Sequence, residues 1–194
     1  MDVFLWWIGG GAADHELLGA LRKQTEHVFH VHARAWLSHD RPIDSFDARR
    51  QQHSSTKILK WLLEAKPAHA VKVLGITDVD LFIPILTFVY GEAQLGGTAA
   101  VVSTARLLPD NGFRPDPELL AARVMKECIH ELGHTFGLLH CPVPTCVMAR
   151  SVNLVQVDAK ESALCHDCQL RFGEIRRQGH EHHEQRTDPD SHRR

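Results

Sequence analysis

The sequence predicts a mixed α/β (α+β) domain, a sheet with helices packed on it, ahead of a small cysteine-rich C-terminal segment. Short apolar runs of strand character alternate with stretches of helical periodicity. One helix, opening at Asp116, carries histidines at turn spacing along one flank. Four of the five cysteines follow that helix.

Taken in order, Met1 to Ile8 (MDVFLWWI) reads as a buried strand closed by Gly9, Gly10 and Gly11. That triplet lacks the G-x-G-x-x-G spacing of a dinucleotide site. Asp14 is the expected cap of a helix to about Glu26, with Leu17, Leu18 and Leu21 on one side. Phe29 to Leu37 alternates in strand style apart from Trp36. Ser54 to Ala65 places Ile58, Leu59, Trp61, Leu62 and Leu63 at helical spacing before Pro67 stops the run. Val71 to Ile76 and Thr98 to Thr104 read as further strands. Thr87 to Tyr90, bounded by Pro84 and Gly91, reads as the edge strand. From Gln178 onward the chain has no hydrophobic residue, which predicts a polar tail without a fold of its own.

Composition narrows the function. With 194 residues, 43% of them hydrophobic, the chain is large enough for a core of its own. Its 22 Lys and Arg against 24 Asp and Glu leave a net charge of −2, with no broad basic excess in either half. This argues against nucleic acid and against an anionic membrane as the main partner. The run Val3 to Ile8 follows Asp2 rather than a basic cluster and is too short for a signal peptide or a membrane span. We therefore expect a cytoplasmic protein, and a monomer. Spaced cysteines in a reducing compartment bind metal more often than they form disulfides.

Asp116, Pro117 and Glu118 open a helix expected to run to about Phe136. At about 100° per residue, Ala121, Val124, Met125, Cys128, Ile129, Leu132 and Phe136 share one side, and Arg123, Glu127, His130, Glu131 and His134 the other. His130 and His134 stack one turn apart and can share an ion, with Glu131 beside it. The pattern continues as H-E-x-x-H-x-x-G-x-x-H through Gly137 to His140. In a straight helix His140 would lie about 9 Å beyond His134 along the axis. Gly137 permits a left-handed turn that swings it back. Three neutral imidazoles leave a fourth position open, the ligand count of a catalytic zinc.

These residues resemble the metzincin clan of zinc peptidases, and Met148 in Cys146-Val147-Met148 occupies the place of its Met-turn. The closer resemblance is to the archaemetzincins, or archaelysins. Cys141 follows His140 directly, and the C-x-M of Cys146 to Met148 and the C-x-x-C of Cys165 to Cys168 complete the pattern. GITDVDL (Gly75 to Leu81) and GGTAAVVSTARL (Gly96 to Leu107) are similar to family segments.

The resemblance implies a metzincin-like fold. An upper subdomain, residues 1–140, would hold a twisted five-stranded mixed sheet, a backing helix and the active-site helix at about 117–136. A lower subdomain, 141–177, would hold the Met-turn, and a polar tail would follow over 178–194. Cys141, Cys146, Cys165 and Cys168 would close a tetrahedral structural zinc site, making two zinc ions per chain. Cys128 reads as a core residue and His166 as a solvated one. The activity implied is hydrolysis of short or restricted peptides, with Glu131 as general base and the substrate lying along the Thr87 to Tyr90 edge. Some metzincins carry a tyrosine two residues after the methionine; here Arg150 stands there and the sole tyrosine is Tyr90. The rival reading is a catalytically silent, zinc-scaffolded module that binds a peptide or protein. Glu131 speaks against it, because a purely structural three-histidine site gains nothing from that carboxylate. A nucleic-acid binder built on the cysteines is disfavoured by the two bases, Arg150 and Lys160, in the 142–164 loop.

Overall fold

The computed structural model describes residues 1–9, 15–38, 40, 42–108 and 116–187, with side chains described as far as Gln178. Strand β1 is Asp2–Trp7, followed by helix α1 at His15–Phe29 and strand β2 at His32–Leu37. Short strands β3 (Phe46–Asp47) and β4 (Gln52–Ser54) lead into helix α2, Ser55–Ala65. Then come β5 (Lys72–Thr77), β6 (Leu81–Phe82), β7 (Gly91–Ala93) and β8 (Ala99–Ser103). Helices α3 (Pro117–Thr135), α4 (Leu154–Ala159) and α5 (His166–Thr187) complete the order.

The main sheet has five strands in the order β2-β1-β5-β8-β7, parallel except for the antiparallel β7–β8 pair. Because side chains alternate across a strand, β1 feeds two cores. Val3, Leu5 and Trp7 join Leu74, Ile76, Ala100 and Val102 under α1 and α3. Phe4, Trp6 and Ile8 join Val73, Ala99 and Val101 under α2 through Ile58, Leu59 and Leu62. The central strands are therefore buried on both faces, as a sheet with helices on both sides requires.

Several local expectations are met. Ser54 caps α2 by accepting from Lys57 N–H at 3.5 Å. Asp116 caps α3 by accepting from Glu118 N–H at 3.0 Å, with Pro117 in the first turn. Others are corrected. Phe29 ends α1 instead of opening β2, because its ring is needed below the sheet, 4.7 Å from that of Phe136 and 5.4 Å from that of Phe172. Residues 87–90 form no ladder strand. Val89 makes a single antiparallel bridge to Leu81, and the edge strand is β7, which begins directly after residue 90, at Gly91. The tail expected to lack a fold from Gln178 continues α5 as far as Thr187. A helix already started adds one backbone bond per residue, and Gln, Arg and Glu propagate it without an apolar face. Gly10, Gly11, Asp14 and residues 188–194 lie outside the described residues.

The small sheet β3-β4-β6 was not anticipated. It is tied to the chain on either side of β6 by Gln52, whose Nε2 donates to Asp80 at 3.0 Å and to the Thr87 carbonyl at 2.9 Å. Lys72 joins the other end of the sheet to the end of α3, its Nζ donating to the carbonyls of Gly97 at 2.6 Å and Thr135 at 2.7 Å. No helix among the described residues is long and apolar enough to cross a membrane.

Candidate metal and catalytic site

Helix α3 is buried on both flanks. Cys128, Ile129 and Leu132 are inaccessible, and Arg123, Glu127, His130 and Glu131 are 3–7% exposed. The flank expected to carry chemistry is therefore enclosed, and each polar group on it needs a partner or an open cleft. Arg123 forks onto Asp158 of α4 with two 2.7 Å bonds. Lys160 Nζ, just past α4, donates to Glu127 at 2.6 Å.

His130 and His134 are oriented by carbonyls. His130 Nδ1 lies 2.8 Å from the Val147 oxygen and His134 Nδ1 lies 2.7 Å from the Leu138 oxygen. A carbonyl only accepts, so both Nδ1 atoms carry the proton. The two Nε2 atoms then hold bare lone pairs, and they face one another at 3.1 Å. Two lone pairs at that distance repel unless a cation lies against both. Gly137, at φ +94°, ends the helix and turns the chain so that His140 comes to the same point. Potential ligand atoms of His130, His134 and His140 all lie within 4.8 Å of one another. Burial holds all three below the usual imidazole range, His140 with help from the Arg150 charge, so the rings are neutral and suited to bind metal.

Met148 is fully buried under this group, its sulfur packed against Gly133, where an added Cβ would collide with it. The chain on either side is braced: Cys141 N–H donates to the Met148 carbonyl at 2.9 Å, and Val147 N–H to that of Ala163 at 3.1 Å. The same segment brings Cys141, Cys146, Cys165 and Cys168 together within 4.8 Å, all four as free thiols. Cys165 and Cys168 flank the first turn of α5, and Cys165 N–H reaches the Cys146 sulfur at 3.4 Å. Burial works to raise the Cys165 thiol, but hydrogen bonds from the Cys168 backbone and from neighbouring thiols bring it below its usual range. A converging set of four sulfurs with such support is the donor set of a closed zinc site. Cys128 is fully buried, with its thiol pushed well up by burial, and His166 is exposed. Neither joins a cluster.

Glu131 is 7% exposed, and no described residue hydrogen-bonds its carboxylate. Burial, reinforced by Glu127, raises it well above the usual carboxylate range. It opens on a cleft of about 300 Å³ lined by residues 86–91, Glu127, His130, His140, Arg150, Ser151 and Val152. Gly91 of β7 lies against it: an added Cβ would come within 2.7 Å of Glu131 Cγ and 2.7 Å of the Val101 oxygen. The sequence shows Gly91 only as a turn residue, because this constraint exists once β7 crosses α3. Glu127 and Lys160 were likewise invisible as a pair, being joined by the fold and not by spacing.

The chain matches the model of peptidase family M54 over residues 43–174. It is 40% identical to the archaemetzincin of Methanocaldococcus jannaschii, over 81% of this chain and 86% of that one. The chain belongs to peptidase family M54. An M54 member is a zinc metallopeptidase acting on peptide substrates, and this one carries a His group and a Cys group that could each hold a metal ion. The fold agrees with the crystal structure of the archaemetzincin from Methanopyrus kandleri at a TM-score of 0.81, with 33% identity and coverage of 91% of this chain and 96% of that chain. The archaemetzincin of Archaeoglobus fulgidus, crystallised with malonate, matches at 0.70 with 31% identity, over 88% of this chain and 99% of that one.

Proposed function

We propose that this M54 peptidase cleaves short peptides at the three-histidine cluster, with Glu131 as general base. In this reading His130, His134 and His140 hold a catalytic zinc. Cys141, Cys146, Cys165 and Cys168 hold a second, structural zinc, and the 141–177 subdomain it staples closes the cleft beneath the 1–140 subdomain. The observation that carries the reading is the pair of Nε2 atoms facing each other at 3.1 Å beside a carboxylate to which no other described residue hydrogen-bonds. Zinc at the imidazoles supplies Lewis acidity toward the scissile carbonyl and acidifies water.

The chain's own residues do the rest. Glu131 accepts a proton from the attacking water and delivers it to the leaving amine nitrogen. Its position on the cleft wall is held by Gly91, whose missing side chain leaves the carboxylate its room. The Val147 and Leu138 carbonyls lock the ring orientations of His130 and His134. Tyr90 O and Gln94 N bond to β8, at 2.8 and 3.0 Å. By antiparallel alternation the backbone groups of Gly91 and Ala93 face away from β8, and an extended substrate can pair there. The small cleft restricts this to short or flexible peptides.

A screen of short peptides with zinc-loaded protein tests the reading. Glu131→Gln should lower kcat/KM by about 10² to 10⁴, the scale of a positioned proton-transfer group, while zinc content stays that of the wild type. Equal turnover by the variant removes Glu131 from the reaction. Absence of hydrolysis of every peptide, with metal sites full, overturns the reading.

A further inference from the structure

Arg150 stands at the cleft two residues beyond the buried Met148. Among the described residues it is the one Lys or Arg side chain lining that cleft, and it is exposed. The other basic groups near α3 are committed: Arg123 to Asp158, Lys160 to Glu127, Lys126 to the carbonyls of Val157 and Asp158, and Lys72 to that of Thr135. No carboxylate among the described residues lies within ion-pair distance of Arg150, Glu131 included. Next to it the Ser151 hydroxyl oxygen is buried, also without a hydrogen-bond partner among the described residues. The cleft thus holds a cation and a hydroxyl donor that the fold leaves unmatched, on the His140 side of the site.

We propose that Arg150, assisted by the Ser151 hydroxyl, recognises a carboxylate on the substrate, making this a peptidase for peptides with a negative charge close to the scissile bond. The proposal rests on the peptidase reading above and gives it a substrate class. A guanidinium presents a fixed fork of N–H donors that matches a carboxylate with two parallel bonds. A cleft of about 300 Å³ is at the small end of ligand pockets, so a carboxylate seated against Arg150 lies within a residue or two of the bond to be cut. That carboxylate has two sources, the free C-terminus of a short peptide or an Asp or Glu side chain. The tyrosine that some metzincins place here offers a neutral hydroxyl; an arginine requires an anion for comparable stabilisation.

The test uses zinc-loaded full-length protein and N-acetylated pentaalanine as free acid and as C-terminal amide, with an amidated series in which one alanine at a time becomes Glu or Gln. If the C-terminus is the target, the acid exceeds its amide in kcat/KM by about 10- to 100-fold, the range of a charge-assisted hydrogen-bonded pair. If a side chain is the target, one Glu position exceeds its Gln partner by that factor. In either case Arg150→Gln brings the ratio to about one, chiefly through KM, Arg150→Lys keeps part of it, and Arg150→Glu favours Lys-containing peptides. Calorimetric binding of the same peptides to Glu131→Gln protein reads the preference without turnover. It therefore decides the proposal even where the general-base reading fails. No preference of wild-type protein for any carboxylate, in hydrolysis or in binding, overturns the proposal. So does an Arg150→Gln variant that loses kcat by one factor on every peptide, which would make Arg150 a stabiliser of the transition-state oxyanion.

Discussion

The site depends at the residue scale on what is missing from Gly91 as much as on what its neighbours carry. A methyl group there would meet both Glu131 and the Val101 carbonyl at 2.7 Å, and the backbone of β8 cannot yield as readily as a side chain. Glu131 must move. Gly91→Ala should therefore lower kcat/KM on peptides by about 10²-fold, the scale of a 1 Å misplacement, with zinc content unchanged. Paired steady-state and metal assays check this, and an unaffected rate would show that Glu131 has slack. The three-histidine pattern itself was legible at this scale. His130, Glu131, His134, Gly137 and His140 are close in sequence and tied by helix geometry, and Gly137 adopts the positive φ the pattern needs. Gly91 was not legible, since it meets Glu131 only across the sheet.

Elements are held to one another by polar groups that the sequence left unassigned. Glu127 and Lys160 are 4% and 1% exposed and meet at 2.6 Å, joining α3 to the end of α4 below the cleft. Removing the cation leaves a buried carboxylate without its partner. Lys160→Met should cost about 3–5 kcal/mol of stability in denaturant unfolding, whereas Lys160→Met with Glu127→Leu should recover much of it. A single variant as stable as the wild type would mean the pair adds nothing. The long elements were readable from periodicity, and α3 from its cap as well: the α2 run was expected from Ser54, which the fold uses as its cap, and Asp116 caps α3 as expected. The edge strand was misplaced because Gly91–Ala93 reads Gly-Glu-Ala, with no β-branched or aromatic residue, and is a strand only through pairing with β8. Strands of two or three residues, β3, β4 and β6, have too little pattern to show in sequence at all.

At the scale of the whole molecule, the histidine and cysteine groups meet on one continuous segment. The backbone from His140 to Cys141 passes directly from the histidine group to the cysteine group, so the two groups are joined by one peptide bond. Gln24 of α1 adds a tie from the far side, its Nε2 donating to the Ser162 carbonyl at 2.7 Å, three residues before Cys165. An open three-ligand ion exchanges with solvent and chelator more readily than one enclosed by four thiolates, and loss of the latter removes folding free energy. The most direct test is a timed chelation of the zinc-loaded protein, with zinc release, peptide hydrolysis and circular dichroism recorded on one sample. Two phases of one ion per chain are expected: a fast phase that abolishes hydrolysis while the fold persists, then a slow phase accompanied by loss of structure. A single phase, or hydrolysis that survives release of the first ion, would contradict this division of roles.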